Sequence, residues 1–284
     1  MINCIICKNS DFELIYNNTL KKCTACNFIT ANIEISNEEL KKNYSENYFK
    51  GEEYSDYIKD KDSLQSNFNK RLNYIFKNFN KTDIKSVLEI GCAYGFFAET
   101  INSRLKNIKY TGIDIVAEAV EYGKTKLDQQ LELADYLNYN TNNKYTDIFL
   151  WDVIEHLQYP ERYVKKAYNE LNDAGKIYIT TGDIDRFIPR IKKHKWRIIH
   201  PPSHLHYFSA KTISKLLCNN GFTIESITYP PIYRSVKQIF YSLFMLNKKP
   251  RKITNYIYRS IPNKLKIPIN TYDIMFVIAK KTGK

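Results

Sequence analysis

Four cysteines within the first 26 residues carry the plainest chemistry in this chain: Cys4-x2-Cys7 and Cys23-x2-Cys26, with fifteen residues between the pairs. Two such knuckles can bring four thiolates into one tetrahedron, the ligand set of a structural Zn²⁺ ion. With no coordination position left open, that ion contributes folding free energy and performs no reaction. Four unliganded thiols would leave a module this small with little to hold it, because residues 1–30 contain few large apolar side chains. An iron–sulfur centre is the remaining alternative. Cys92 and Cys218 stand alone in apolar stretches, so the cysteine pattern reads as metal in a reducing compartment.

A second set of chemically capable residues starts at Val87-Leu88-Glu89-Ile90-Gly91-Cys92-Ala93-Tyr94-Gly95, a buried-strand pattern that runs into a glycine-bearing turn and then an amphipathic segment opening at Phe96-Phe97. This is the layout of a nucleotide-cradling loop. A dinucleotide fingerprint would need glycines at 91, 93 and 96; Ala93 and Phe96 keep a pyrophosphate from the backbone, which disfavours NAD. A carboxylate, Glu89, beside a close-approach backbone suits instead a cationic ligand with an amino-acid moiety and a sulfonium, such as S-adenosylmethionine. Nineteen residues past Gly95, Tyr110-Thr111-Gly112-Ile113 ends in Asp114, where a carboxylate can accept both hydroxyls of a ribose.

Alternating strands and helices must position these groups. Apolar runs at 86–90, 109–113, 146–151 and 176–181 read as strands, and helical patterns fall near 95–106, 116–128, 161–171 and 210–220. Two more strands follow, 222–229 and 272–280. Such alternation implies an α/β fold built from parallel βαβ units. Ahead of it lies a helical linker or lid at 33–80. There Ser36 and Glu39 fit a capping box, and Leu64, Phe68, Leu72, Ile75, Phe76 and Phe79 recur at helical spacing. The chain thus divides into a zinc-ribbon-like module at 1–32, the helical segment at 33–80, and a Rossmann-like domain at 81–284. Within that domain, 183–208 is a substrate lid and 232–270 a basic amphipathic insertion before the last strand.

No run of eighteen apolar residues occurs and the N-terminus lacks a secretory layout, so the protein is expected to be cytoplasmic. The formal net charge of +13 is uneven: residues 232–284 hold twelve Lys or Arg against one acid, Asp273. Val236, Ile239, Phe240, Leu243 and Phe244 make one apolar stripe flanked by Arg234, Lys237, Lys248, Lys249, Arg251 and Lys252. That stripe either covers the catalytic core or lies on an anionic membrane at its inner face. A zinc ribbon with a basic tail also suggests RNA, but nucleic acid is the less favoured partner.

From about residue 84 to 230 the chain resembles class I S-adenosylmethionine-dependent methyltransferases, with Glu89 to Gly95 as motif I and Asp114 as the ribose acid. The resemblance implies a Rossmann-like, mostly parallel seven-stranded sheet with helices on both faces. The donor would be held by Glu89, Gly91, Ala93, Gly95, Asp114, Ile115, Asp135, Tyr136 and Trp151, with Asp135 at the adenine amino group and Asp147–Trp151 passing under the methionine moiety. Ala93 departs from the usual middle glycine, which implies weakened binding.

Pro202-Ser203-His204-Leu205-His206-Tyr207-Phe208-Ser209 resembles the Pro-x-His-x-x-Tyr-Phe-Ser signature of a sugar-associated branch that also carries N-terminal Cys-x-x-Cys pairs. In that branch the histidine at the place of His204 is the general base. Nucleotide-sugar C-methyltransferases have Glu immediately before it and Tyr two further back, where this chain has Ser203 and Pro201, so the expectation is O-methylation of a saccharide or glycan hydroxyl. C-methylation of a nucleotide-linked keto-sugar, a quinol acceptor, and a non-catalytic RNA- or membrane-binding module with a vestigial pocket are the alternatives. Asp152, Glu155 and His156 could hold a divalent cation, as in relatives that methylate quinols or glycans; otherwise Glu155 caps a helix and His156 packs under the cofactor.

Overall fold

The computed structural model describes residues 3–36, 39, 57–245, 252–262 and 265–282. The capping box at Ser36 forms. Its amide and hydroxyl donate to the Glu39 carboxylate at 2.9 and 2.8 Å, and the Glu39 amide donates to Ser36 Oγ at 3.2 Å. The stretch at 40–56 lies outside the described residues.

Three short antiparallel strands open the fold: β1 (Phe12–Ile15), β2 (Leu20–Cys23) and β3 (Ile29–Ala31). Helix α1 (Lys61–Asn78) buries Phe68, Leu72 and Ile75, the side chains whose 3–4 residue spacing puts them on one face. Each such burial stabilises by roughly 1.5–3 kcal/mol. Alternation then sets in, with β4 (Ser86–Ile90), α2 (Phe96–Arg104), β5 (Lys109–Asp114), α3 (Ala117–Leu127), β6 (Leu131–Leu133), β7 (Tyr145–Trp151), α4 (Pro160–Glu170) and β8 (Leu171–Gly182). After these come α5 (Phe187–Lys192), β9 (His206–Tyr207), α6 (Ala210–Asn219), β10 (Phe222–Thr228), β11 (Ile232–Ser235), α7 (Val236–Phe244), α8 (Lys252–Ser260), β12 (Lys266–Ile269) and β13 (Ile274–Lys281).

Seven strands form the central sheet in the order β6-β5-β4-β7-β8-β13-β10, all neighbours parallel except around β13, which runs against both β8 and β10. The expected α/β fold with a mostly parallel sheet is therefore present. Buried on both faces, its strands read as near-continuous apolar runs. In β7, Ile148 and Leu150 pack with Val164 and Ala167 of α4 and Ile213, Leu216 and Leu217 of α6. Phe149 and Trp151 turn to the opposite face, against Phe68 and Leu72 of α1 and Phe97 and Ile101 of α2. From β4 the chain steps outward through β5 to β6 and returns on the other side at β7. Such a reversal opens a crevice at the carboxyl ends of β4 and β7.

The N-terminal strands are not a free-standing module. β3 pairs with β9, Ile29 opposite Tyr207 and Thr30 opposite His206, which makes a four-stranded sheet from segments about 175 residues apart in the chain. Cys4, Ile6, Cys23 and Phe28 share a core cluster with α6, and Asn219 Nδ2 donates to the Ile6 carbonyl at 2.9 Å. A segment too small for its own core has borrowed one. The stretch 183–208 is likewise well packed in its second half, where Trp196, Ile198 and residues 204–208 are all buried.

Asp273, 1% exposed, ties that stretch to β13. It accepts from Trp196 Nε1 at 2.8 Å, from Arg197 Nη2 at 3.0 Å and from the Thr271 hydroxyl. Removing one partner of a buried, charge-assisted network strands the others. Asp273→Ala is expected to cost about 3 kcal/mol of stability, read as a lower urea midpoint at unchanged slope.

Candidate active site

The turn after β4 is shaped by three left-handed residues: Gly91 at φ +75°, Ala93 at +45° and Gly95 at +77°. The Gly91 and Cys92 amides donate to the Ile113 carbonyl at 2.8 and 3.1 Å. A methyl group on Gly91 would stand 2.5 Å from Val153 Cγ2, so a side chain here forces Val153 to move in addition to the strain of the positive φ. Ala93 holds its left-handed conformation because its amide donates to Asp114 Oδ2 at 2.7 Å, while Asp114 Oδ1 accepts from the Val116 amide at 2.9 Å. Burial raises the Asp114 carboxyl above its ordinary range, and the Val116, Ala93 and Ile115 amides work against it. Each carboxylate oxygen keeps a second lone pair for a ligand.

A cleft of about 600 Å³ opens over this turn, lined by Gly91, Ala93, Asp114, Ile115, Asp135, Tyr136 and Trp151 among the residues expected from sequence. Two others stand elsewhere. Glu89 is buried under the turn, where the Tyr110 hydroxyl donates to it and burial pushes its carboxyl well up. Gly95 starts α2 as its N-cap. Both shape the turn without lining the cleft. Asp135 accepts from the Leu137 amide and the Tyr163 hydroxyl, each at 3.1 Å, and Tyr136 donates to Glu170 at 2.6 Å. Trp151 Nε1 is buried with no hydrogen-bond partner among the described residues.

Sequence reasoning did not assign Tyr57, Val153, Gln158, Tyr159, Arg162 and Tyr163 to this wall. Tyr57 reaches it by stacking on Tyr94 and Phe96 at 5.6 Å, a long-range contact with no local signature. The others follow β7, and Pro160 at the first turn of α4 was the one local sign that a loop ends there.

His156 also lines the cleft, from a 3-10 turn at Ile154–His156. His204 lies directly behind it, its ring 4.4 Å away edge-to-face, and His200 is 4.0 Å from His204. His156 Nδ1 faces the Ser203 carbonyl at 2.9 Å and His204 Nδ1 the Ile198 carbonyl at 2.8 Å. A carbonyl only accepts, so Nδ1 carries the proton on both rings and Nε2 the lone pair. Burial brings His156 down to about 4 despite the Ser203 carbonyl, and pushes His204 well below the usual imidazole range, with His156 and His200 adding to it. Both rings are neutral near pH 7. Asp152 turns away from this pair toward Arg71, 3.9 Å off.

On the far side of β9, Cys4, Cys7, Cys23 and Cys26 bring their sulfurs within 4.8 Å of one another, Cys4 to Cys26 and Cys7 to Cys23 at 3.5 Å. Thiolates about 2.3 Å from one tetrahedral zinc are roughly 3.8 Å apart, so the residues fit that ion. Each pair makes the same knuckle: Lys8 N donates to Cys4 O and Asn27 N to Cys23 O at 2.9 Å, with Lys8 and Asn27 left-handed. Burial raises the Cys23 thiol, but the Cys26 and Ala25 amides, with Cys7 and Asn9, outweigh it and bring it down to about 6.

A parallel sheet with one reversed strand, and a glycine turn facing a strand-end aspartate across a cleft, define an α/β domain for a nucleoside-bearing ligand. The chain belongs to the methyltransferase-domain family, whose model matches residues 53–227. It is 27% identical over 109 residues to a mitochondrial ubiquinone biosynthesis O-methyltransferase of Candida albicans, covering 35% of this chain and 33% of that one. It is 33% identical over 100 residues to malonyl-[acyl-carrier protein] O-methyltransferase 1 of Ilyobacter polytropus, covering 34% and 37%. The matches thus span about a third of those relatives' length. In fold it is similar to a SAM dependent methyltransferase from Archaeoglobus fulgidus, with TM-score 0.52 and 17% identity over 79% of this chain and 99% of that one. It is also similar to magnesium protoporphyrin IX methyltransferase from Synechocystis PCC 6803 with bound SAH, with TM-score 0.51 and 12% identity over 78% and 84%.

Gly91→Ala combines a positive φ with the Val153 clash and is expected to lower stability by about 2 kcal/mol. Ala93→Gly, relieved of its methyl at φ +45°, is expected to melt no lower than the parent in the same calorimetric scan.

Proposed function

We propose that this chain transfers a methyl group from S-adenosylmethionine to a hydroxyl oxygen of a saccharide or glycan. The observation that carries the reading is a cleft over a left-handed glycine turn, closed on one side by Asp114 and on another by His156, with His204 directly behind it. Asp114 would take the ribose hydroxyls and Asp135 and Tyr136 the adenine end, with Gly91, Ala93, Ile115 and Trp151 supplying the close wall. Glu89 and Gly95 act through the turn. When bound, the donor supplies the electrophilic methyl; the protein's share is proximity, orientation and a place for the acceptor's proton. His204 is the proposed base, standing directly behind His156, which lines the cleft. The saccharide acceptor rests on the signature around His204. The four cysteines are assigned to one structural Zn²⁺, which would fix the strands that pair with β9 next to His204.

Donor binding is tested by calorimetry with S-adenosylhomocysteine, NAD serving as control. Asp114→Ala is expected to weaken it at least about tenfold, two lost charge-assisted contacts being worth well over 1.4 kcal/mol. His204→Ala should leave donor affinity within twofold and lower turnover on a hydroxyl-bearing saccharide by about 10²-fold or more. Absence of S-adenosylhomocysteine binding to the folded parent would sink the reading, and a C-methyl rather than O-methyl resonance in the product would move the acceptor to a keto-sugar.

Contact with an anionic membrane is a further part of the proposal, supported by the helical pair before β12. Leu243, Phe244, Ile253, Tyr256 and Ile257 are exposed, and α8 has no buried residue. Lys237, Lys252 and Arg259 flank these side chains in a segment that is almost free of acids. No helix among the described residues is long and apolar enough to cross a membrane, so contact would be peripheral. Co-sedimentation with phosphatidylglycerol vesicles is expected for the parent and lost in I253E/I257E; equal pelleting of both would remove this contact.

A further inference from the structure

A second cavity, about 720 Å³ against about 600 Å³ for the cleft over the glycine turn, runs between α1 and the corner where β10 passes into β11. Its charge is one-sided. Lys70, Arg71 and Lys77 of α1 and Lys266 of β12 line it, and no carboxylate does. Arg71 is met by Asp152 at 3.9 Å. Among the described residues none of the three lysines pairs with an acid. Lys70 Nζ stands 5.8 Å over the Tyr233 ring, and Lys266 Nζ donates to the Asp62 carbonyl at 3.2 Å and the Ser66 hydroxyl at 2.5 Å. These are neutral partners, and they leave each ammonium charge standing.

The groove is held open by its own bonds. Asn67 grips both main-chain groups of Tyr233, at 3.1 and 2.6 Å; the Tyr74 and Ser226 hydroxyls share a bond of 2.8 Å; Asn270 Nδ2 donates to the Tyr229 carbonyl at 2.9 Å. Pro230 and Pro231 at the corner carry no N–H, so a ligand there is met by side chains. Their donors include the three ammonium groups and the Asn73 amide nitrogen, whose oxygen already accepts from Arg104 Nη2 at 2.8 Å. The cations are strung out and not gathered at a point. From Ser66, which Lys266 meets, to Lys77 is about 16 Å along the axis of α1, with Lys70 between them. A lone phosphate would meet one end of such a row. A diphosphate with organic groups attached spans it, and the Tyr74, Tyr229 and Tyr233 side chains in the lining give apolar surface for those groups.

We propose that this groove is a binding site for a diphosphate ester, its phosphate oxygens taken by Lys70, Lys77 and Lys266. The site is separate from the cleft over the glycine turn and does not depend on the methyl-transfer reading. It is also next to that cleft: the Arg71 guanidinium lies 5.0 Å over the Trp151 ring, and Trp151 and Asp152 line the cleft. One side chain divides the two. The ester is either a soluble sugar nucleotide or a lipid-linked diphosphate presented at the ribbon that carries α7 and α8.

The test titrates inorganic pyrophosphate calorimetrically into the full-length chain, with and without saturating S-adenosylhomocysteine. Binding is expected in both cases. Lys70→Ala and Lys77→Ala should each weaken it about tenfold, the worth of one charge-assisted contact, and Lys124→Ala, which removes an exposed cation on α3, should leave it unchanged. No binding to the parent, unchanged affinity in both groove variants, or an equal loss in Lys124→Ala overturns the site. Competition by S-adenosylhomocysteine also overturns it, by putting the anion in the cleft. Absence of S-adenosylhomocysteine binding with pyrophosphate binding retained removes the methyl-transfer reading and leaves the groove standing. Displacement of pyrophosphate by uridine diphosphate glucose identifies a soluble ester; pelleting with phosphatidylcholine vesicles that contain a polyprenyl diphosphate, reversed by pyrophosphate, identifies a lipid-linked one. Failure of both overturns the proposal.

Discussion

The backbone of Leu205 is where the N-terminal sheet and the wall of the cleft meet. Its amide donates to the Glu155 carbonyl, and its carbonyl accepts from the Ala31 amide at 2.8 Å and the Thr30 hydroxyl at 2.8 Å. One residue thus joins the N-terminal sheet, the loop that carries His204 and the turn that carries His156. Phe28 packs on Phe208 and His206 from the same side, at 5.4 and 5.6 Å between ring centres. Buried main-chain groups must be paired, so this junction cannot slide without leaving carbonyls or amides unmet. The cysteine tetrad lies at the other end of the same strands. From there β2 and β3 connect to the loop that carries His204 through main-chain hydrogen bonds.

On the opposite side of the cleft the organising group is Asp114. A carboxylate buried at the end of β5 is costly unless amides meet it, and the amides that do come from the glycine turn and the start of the next helix. The same bonds hold Ala93 in a conformation alanine enters reluctantly. Charge burial and backbone strain are thereby coupled: each is tolerated because of the other, and both sit where a ligand would approach. Glu89 and Tyr110 form the layer beneath, closed off from the cleft.

The C-terminal insertion follows different physics. Between β10 and β13 the chain leaves the sheet, forms the two-stranded β11–β12 ribbon and puts out α7 and α8, which rest on each other through Tyr241 and Tyr258 at 5.9 Å. Asn67 holds the ribbon to α1, donating to the Tyr233 carbonyl at 3.1 Å and accepting its amide at 2.6 Å. The apolar side chains of the helical pair are left with little protein to cover them, while Lys and Arg keep the segment strongly positive.

Local chemistry was enough to read much of this protein from its sequence. Period-3.6 and continuous apolar runs located α1 to α4, α6 and the long central strands. Cys-x2-Cys pairs named four residues that do converge, and Gly91 and Asp114 were legible because a left-handed turn and a strand-end carboxylate have fixed residue preferences. The structure alone revealed what depends on partners distant in the chain. β9 is two residues long and exists only because β3 lies beside it; β6 is three residues, and β11 and β12 stabilise one another. The same limit applies to the site. Sequence proximity grouped Asp152 with Glu155 and His156, whereas packing sets the His204 ring against His156 and leaves Asp152 facing Arg71, because a side chain's neighbours are chosen by the folded backbone and not by its place along the chain.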